Sequence, residues 1–458
     1  MTNFLTISVL LAMAVFAVSA QRPTSADPAR TNAVATTPRS LKAQEFMEMF
    51  GINVHFHEYN YQNIQAMAEA LNSIGVSHVR SSCTSTAEVS AWKQLAAKTA
   101  AYFPAGLKAD VLINGYLNAP DVTLVSQEAL IPQIAPIIES IEGPNEINNY
   151  YVGNGTHGPF DKTDQTKNFA VNSRNWALAL SKWQKKTPTL TKTMLIAPSI
   201  ASGDPQDYAR LPDISSAIRL GNIHFYAGNG RPPSNFGGGN FAAIYQWYQA
   251  AATPGKRLAV TECGQTTASR PGQGGCDEAT QAKYLLNQMC DAAAVGAARA
   301  YVYQLMDDTS DGDPTGNGGA EAHFGLFDYH WHPKPAAQAL ANVKNLLSDT
   351  PKRFTTKVPN YSVTGLTQAG AAGSSLALSK SDGSTFLVVW NEPPLWNAQA
   401  NTPLTAPNDM VTVSFGKRYS YKVYDPLRGL HPIAVGQASQ VHLNVPGSPI
   451  FIQLIPIR

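Results

Sequence analysis

From residue 48 to 347 the chain alternates short apolar runs with longer amphipathic stretches. The runs of strand length are MFGINVHFH (49–57), GVSHVRSS (75–82), ADVLING (109–115), IIESIEG (137–143), TMLIAPS (193–199), GNIHFYA (221–227), RLAVTEC (257–263) and ARAYVYQLM (298–306). Between them, segments such as YQNIQAMAEALNSI, TAEVSAWKQLAAKTA, QTKNFAVNSRNWALALSKWQKK and EATQAKYLLNQMCDAAAVGA carry apolar residues at helical spacing, and KPAAQALANVKNLL closes the series. Strand followed by helix, eight times over roughly 300 residues, predicts an α/β fold of the (β/α)8 barrel type spanning 41–348. A doubly wound open sheet would ask for a glycine-rich phosphate loop after the first strand, and HFHEYNYQN offers His, Glu, Asn and Tyr there instead.

After residue 350 the period becomes two. RFTTKVPNYSVTGLTQAG, SSLALSKSDGSTFLVVWNE, MVTVSFGKRYSYKVYDP and QVHLNVPGSPIFIQLIPI alternate apolar and polar residues between DG, GS and PG turns. This predicts an antiparallel β-sandwich over 349–458, with capping and stiffening of the barrel as its expected role ahead of sugar binding. At the other end, residues 1–20 have an apolar centre of signal-peptide length and end in Val18, Ser19 and Ala20, which suits cleavage before Gln21. No Lys or Arg precedes that centre, so a retained anchor is the alternative, although the run is short for a bilayer span. Residues 21–40 are small, polar and Pro-rich and read as a disordered leader. An exported chain, soluble after signal cleavage, is the expectation.

Composition narrows the partners. A formal net charge of +2 and a charged fraction of 14% leave no concentrated basic stripe, which excludes a nucleic-acid footprint and favours a neutral polar substrate. Cys83, Cys263, Cys276 and Cys290 permit up to two disulfides in an exported chain, or serve as buried thiols, and their spacing holds no CxxC metal pattern. Neither a cofactor nor a metal is expected.

In such a barrel the active site lies at the C-terminal ends of the strands. The polar residues there are His55, His57 and Glu58 on the first, Arg80 on the second, Asn114 on the third, Asn145 and Glu146 on the fourth, and His224 and Tyr226 on the sixth. Glu262 ends the seventh, and Tyr303, Gln304, Asp307 and Asp308 end the eighth. Glu146 and Glu262 each close an apolar strand on opposite sides of the barrel mouth. Two such carboxylates are the equipment for cleaving a glycosidic bond: one held protonated for the leaving oxygen, the other ionised beside the anomeric carbon. Arg80, His224 and Tyr226 could keep the second one ionised.

GPNE after the fourth strand and VTECG on the seventh resemble the paired motifs of clan A glycoside hydrolases, the 4/7 superfamily. The resemblance implies that Glu146 is the general acid/base, that Asn145 binds the sugar 2-hydroxyl, and that Glu262 is the nucleophile of a retaining enzyme. Arg80 and the His224–Tyr226 pair also match, as does HFGLFDYHWHPKPAAQAL (323–340). The layout is similar to family 39, which pairs a barrel with a β-sandwich. Where clan members often carry a Trp on the eighth strand, this chain has Tyr303 and Gln304. Transglycosylation would use the same two residues, and a carbohydrate-binding protein on a degenerate barrel is the rival from another class.

Other features carry weaker readings. His57 and Tyr303 are candidate sugar contacts. A zinc site at His55, His57 and Glu58 lacks a further ligand. The acidic run 307–318 lacks the spacing of a calcium loop and reads as solvated. Cys263 points away from Glu262 by alternation and reads as packing. Tyr59, Tyr61, Tyr150, Tyr151, Trp331 and Trp396 are candidate stacking rings, Asn148, Asn149 and Tyr150 candidate specificity residues, and the loop 150–168 a candidate wall that would favour exo action.

Overall fold

A computed structural model describes residues 39–113, 120–148, 168–235, 239–269, 273–308, 319–349, 354–355, 358–368, 370 and 374–457. The expected signal segment and residues 21–38 of the expected leader, Asn114, Asn149, residues 150–167 of the candidate wall with Tyr150 and Tyr151, and residues 309–318 lie outside the described residues.

All eight predicted barrel strands form: Phe50–Asn53, His78–Ser82, Lys108–Leu112, Ile138–Glu142, Met194–Ile196, Gly221–Phe225, Leu258–Cys263 and Arg299–Val302. They pair in parallel around the ring, and the fifth and sixth meet through the bridge Ile196↔Leu220, where Ala197 N donates to Leu220 O at 3.0 Å. The helices between them start where the sequence offers a side-chain cap. Asn63, Ser85, Asn168, Asn240 and Asp277 each accept a first-turn N–H of the helices Ile64–Ile74, Thr86–Thr99, Phe169–Lys186, Phe241–Ala252 and Glu278–Val295. Gly75 and Gly296 end two of them at φ 73° and 85°, a left-handed conformation that glycine adopts without steric cost.

The C-terminal part is a β-sandwich built on a seven-stranded sheet. The two-residue period sends its strands to two cores. Leu376, Leu378, Phe386, Val388, Trp390 and Phe451 join the apolar core of the barrel, while Ala377, Leu387, Val389, Ile450, Ile452 and Leu454 build a core inside the sandwich. Hydrogen bonds lock the junction to the helix Glu278–Val295. Tyr284 Oη donates to Pro393 O at 3.1 Å, Asn287 Nδ2 to Asn391 O at 3.2 Å, and Trp390 Nε1 to Asp291 Oδ1 at 3.2 Å.

One segment sits elsewhere than the sequence boundaries suggest. Ser40–Lys42 forms a parallel strand on the edge of the sandwich sheet, pairing with Ala377, Leu378 and Ser379. The edge strand Ser375–Ser379 is buried on both faces and needs a partner for its backbone, which the end of the leader supplies. All four cysteines are buried free thiols. Among the described residues no helix is long and apolar enough to cross a membrane.

Candidate active site

The fourth strand ends at Glu142, and Gly143-Pro144-Asn145 carries the chain to Glu146. There the backbone turns left-handed, φ 43°, a conformation that costs a non-glycine residue roughly 1–3 kcal/mol and persists only where neighbours impose it. Ser199, after the fifth strand, imposes it. Its Oγ accepts from Glu146 N at 2.7 Å, its carbonyl accepts from Ile147 N at 3.1 Å, and its own N donates to Pro144 O at 3.2 Å. Asn148 extends the same seam, donating to Ala201 O at 2.8 Å and accepting from Ala201 N at 3.1 Å.

The seventh strand breaks its alternation where the chemistry is. Ile223 pairs with Val260 but His224 with Glu262, and on the other side Val260 pairs with Ala300 but Cys263 with Val302, so one extra residue is inserted at Thr261–Glu262. A bulge re-aims side chains. Here it lets the adjacent Thr261 and Glu262 both reach polar partners inside the barrel, while Cys263 packs with its Sγ against Tyr301 O at 3.4 Å.

Arg80 organises one side of the site. It is 3% exposed, and its Nη1 donates to Glu262 Oε1 and Asn53 Oδ1, both at 2.7 Å, while Nη2 donates to Asn145 Oδ1 at 2.7 Å and Nε to Glu142 Oε1 at 2.6 Å. Tyr226 Oη donates to Glu262 Oε2 at 2.7 Å. Burial alone would raise the Glu262 carboxyl, but His224, the Arg80 guanidinium and the Tyr226 hydroxyl together hold it below its ordinary value. Burial, with Glu262 beside it, keeps Tyr226 protonated as the donor. Glu262 is therefore built to remain ionised.

His224 stands between the two carboxylates. Its Nδ1 is 2.9 Å from Glu146 Oε1 and 3.3 Å from Glu262 Oε2, and its Nε2 is 3.0 Å from Thr261 Oγ1. The Glu146 side chain is 15% exposed and that of Glu262 9%, so both carboxylates reach the mouth from a buried base.

A second group lies toward the first and eighth strands. Tyr303 Oη donates to Glu321 Oε1 at 2.6 Å, and its ring meets Tyr226 and His55 edge-on with centroids 6.3 and 5.3 Å apart. Burial, reinforced by His57, pushes the His55 imidazole down to about 3, so it is neutral. Burial and the neighbouring Asp308 push Glu58 up to about 8. Burial also raises Glu321, to about 7, although the Tyr303 hydroxyl opposes it. Glu58, Tyr59, Asn60, Asp308 and Tyr329 line a cavity of about 290 Å³.

Among the described residues two donor sets converge closely enough to hold a metal ion: His55, His57 and Glu58, and Glu146, His224 and Glu262, each with one atom per residue within 4.8 Å of the others. The second set is committed to its internal hydrogen bonds. In the first, the His57 side chain is 59% exposed.

The structure thus brings together Arg80, Asn145, Glu146, His224, Tyr226 and Glu262, with Tyr303 next to them. His57 stays at the rim, and His55 is the inward member of that pair. Tyr61 is buried and donates to Gln304 Oε1 at 2.8 Å, Trp396 packs on Gly230, and Asn148 is spent on Ala201, so these three are structural. Sequence reading missed Glu142, Asn53, Asn222, Thr261 and Glu321. Strand parity could have found Asn222, two residues before His224. Nothing in the alternation announces Thr261, because the bulge overrides it.

The fold is an eight-stranded parallel (β/α)8 barrel with a C-terminal β-sandwich. Among solved structures the chain is similar to a family 39 glycoside hydrolase from the gut symbiont Bacteroides cellulosilyticus WH2, with 14% identity, a TM-score of 0.53 and coverage of 90% of this chain and 82% of that one. It is equally similar to the family 39 enzyme of Xanthomonas axonopodis pv. citri, with 14% identity, a TM-score of 0.53 and coverage of 94% and 99%. The likeness is one of fold. No family model and no curated protein matches the sequence.

Proposed function

We propose that the chain is an exported, retaining glycoside hydrolase acting on β-linked poly- or oligosaccharides. The observation that carries this reading is the Glu146–His224–Glu262 cluster. One oxygen of each carboxylate lies within 4.8 Å of the other, with His224 Nδ1 touching both, which favours the close pair of double displacement, roughly 5–5.5 Å between carboxyl groups, over the roughly 6.5–9.5 Å of inversion. Glu262, held ionised, attacks the anomeric carbon while Glu146 protonates the departing oxygen. Glu146 then takes the proton of the water that releases the sugar. Asn145, fixed by Arg80, offers its amide N–H to the sugar 2-hydroxyl.

The lining of the neighbouring cavity supports a neutral polar sugar: Asn60 and Glu58, the latter held protonated by burial and by Asp308, offer hydrogen bonds and no cation to pair with a uronate or a sulfate. Export rests on the N-terminal apolar segment of signal-peptide length.

The test is a panel of aryl β-glycosides and neutral polysaccharides assayed with the wild type and with Glu262→Ala, the product anomer being read by NMR before mutarotation. Activity with the β-anomer formed first, and its loss in Glu262→Ala, is expected. Full activity in that variant, or an α-product, would reject the reading.

A further inference from the structure

Glu142 lies 0% exposed inside the barrel, and both of its oxygens are engaged. Oε1 accepts from Arg80 Nε at 2.6 Å, and Oε2 accepts from Asn222 Nδ2 at 3.1 Å. From Oε2 a chain of donors runs in one direction only. Asn222 Nδ2 donates to Glu142, and to Ala197 O at 3.0 Å, so its Oδ1 faces Thr261, whose hydroxyl donates to it at 2.8 Å. With its single proton spent, Thr261 Oγ1 accepts from His224 Nε2. A neutral His224 then carries its proton on Nε2, and its Nδ1 lone pair points between the two carboxylates, nearer to Glu146 Oε1 at 2.9 Å than to Glu262 Oε2 at 3.3 Å. A lone pair facing an ionised carboxylate oxygen at that distance is repulsive, so the contact holds a proton.

We infer that Glu142 is the positioning residue of both catalytic carboxylates: one oxygen anchors Arg80, which grips Glu262 and Asn145, and the other starts the Asn222–Thr261 relay that aims the His224 Nδ1 lone pair at Glu146. The inference rests on the proposed roles of Glu146 and Glu262. Its chemical content is that the resting site keeps one proton between Glu146 and His224, where the leaving oxygen needs it, and that this shared proton on His224, with Arg80 and Tyr226, keeps Glu262 ionised. The titratable and charged groups facing the relay are Arg80, Asp110, Tyr301, Glu146, Glu262, Tyr226 and, at Asn222, Tyr248. None of the others stands at the head of both arms.

The relay and the anchor can be cut separately. Glu142→Gln leaves a single oxygen where two acceptors are required, one toward Arg80 and one toward Asn222, so one arm must fail. Thr261→Val removes the relay hydroxyl and leaves the Arg80 anchor intact, whereas Thr261→Ser retains it. With a substrate whose leaving group needs protonation, kcat is expected to fall roughly 100-fold in Thr261→Val, and in Thr261→Ser to stay within about threefold of wild type. With a dinitrophenyl glycoside, which departs unprotonated, the Thr261→Val defect should shrink to less than about fivefold. Glu142→Gln should slow both substrates, since the Glu262 arm is weakened too.

Imidazole 15N NMR of His224 supplies a readout that needs no substrate and survives failure of the hydrolase reading. The Nε2–H form is expected in wild type and Thr261→Ser, and a mixture with Nδ1–H in Thr261→Val. Should Glu142→Gln not fold, the Thr261 pair still decides the matter. The proposal is overturned if Thr261→Val matches Thr261→Ser in leaving-group dependence, or if the His224 tautomer is the same in both.

Discussion

Arg80 is a cation caged among acceptors, and its removal separates two effects. In Arg80→Met, Glu142 and Glu262 lose the charge that lets them be buried. Stripping one partner from a buried pair costs roughly 3–5 kcal/mol, measurable as a lower urea midpoint with an unchanged slope. The same variant should move the acidic limb of the pH–activity profile upward, because burial, no longer opposed by Arg80, raises the Glu262 carboxyl. An unmoved limb would mean that Arg80 does not set the ionisation of Glu262.

Glu58 predicts a pH effect of the opposite sense. Its folded value of about 8 lies above the 4.5 of an unperturbed carboxyl, so between those values the native state holds a proton that the unfolded chain releases. Stability contributed by that proton is present at low pH and is lost as pH rises toward 8. The thermal midpoint should therefore decline across this window in wild type and decline less in Glu58→Gln, as followed by calorimetry.

At the level of elements, the mount of Glu146 is a seam between two strand ends. Ser199→Ala removes the hydroxyl that accepts from Glu146 N, leaving a left-handed residue short of one restraint. A stability loss of about 1 kcal/mol and a kcat loss exceeding any change in KM are expected, since the acid moves while the binding groups stay. A change in KM alone would place Ser199 in substrate binding instead.

Legibility from sequence follows the same elements. The eight strands were readable because each is an apolar run closed by turn or polar residues, and Glu146 and Glu262 because each ends such a run. Asn-Glu also follows an apolar strand at Asn391-Glu392, yet there Glu392 Oε2 accepts from Ser234 N at 2.7 Å in the junction between sandwich and barrel. The dipeptide acquires its meaning from the strand beneath it. Thr261 and Glu142 were not readable for physical reasons: a bulge that alternation cannot register, and a carboxylate whose partners come from strands distant in sequence.

On the scale of the whole molecule, barrel and sandwich share one apolar core, so they should unfold together. Calorimetry should show one transition, and Trp390→Ala should cost roughly 3–5 kcal/mol and lower that single midpoint rather than release the sandwich alone. Two separated transitions would contradict a common core. The hydrophobic period changes at 348/349, and the shared core predicts that cooperative unfolding does not divide the chain there.

The strand Ser40–Lys42 gives this unity an order in time. Its partner at Ala377 emerges from the ribosome only after the entire barrel sequence, so a strand synthesised ahead of the barrel is among the last able to pair. Until then Ser40–Lys42 has no sheet to join, and a nascent chain arrested near Leu347 holds a barrel whose outer face lacks its cover. Completion of the fold is a clasp between Ser40–Lys42 and Ser375–Ser379, and protease resistance of nascent chains should appear only once the second of these strands has been synthesised.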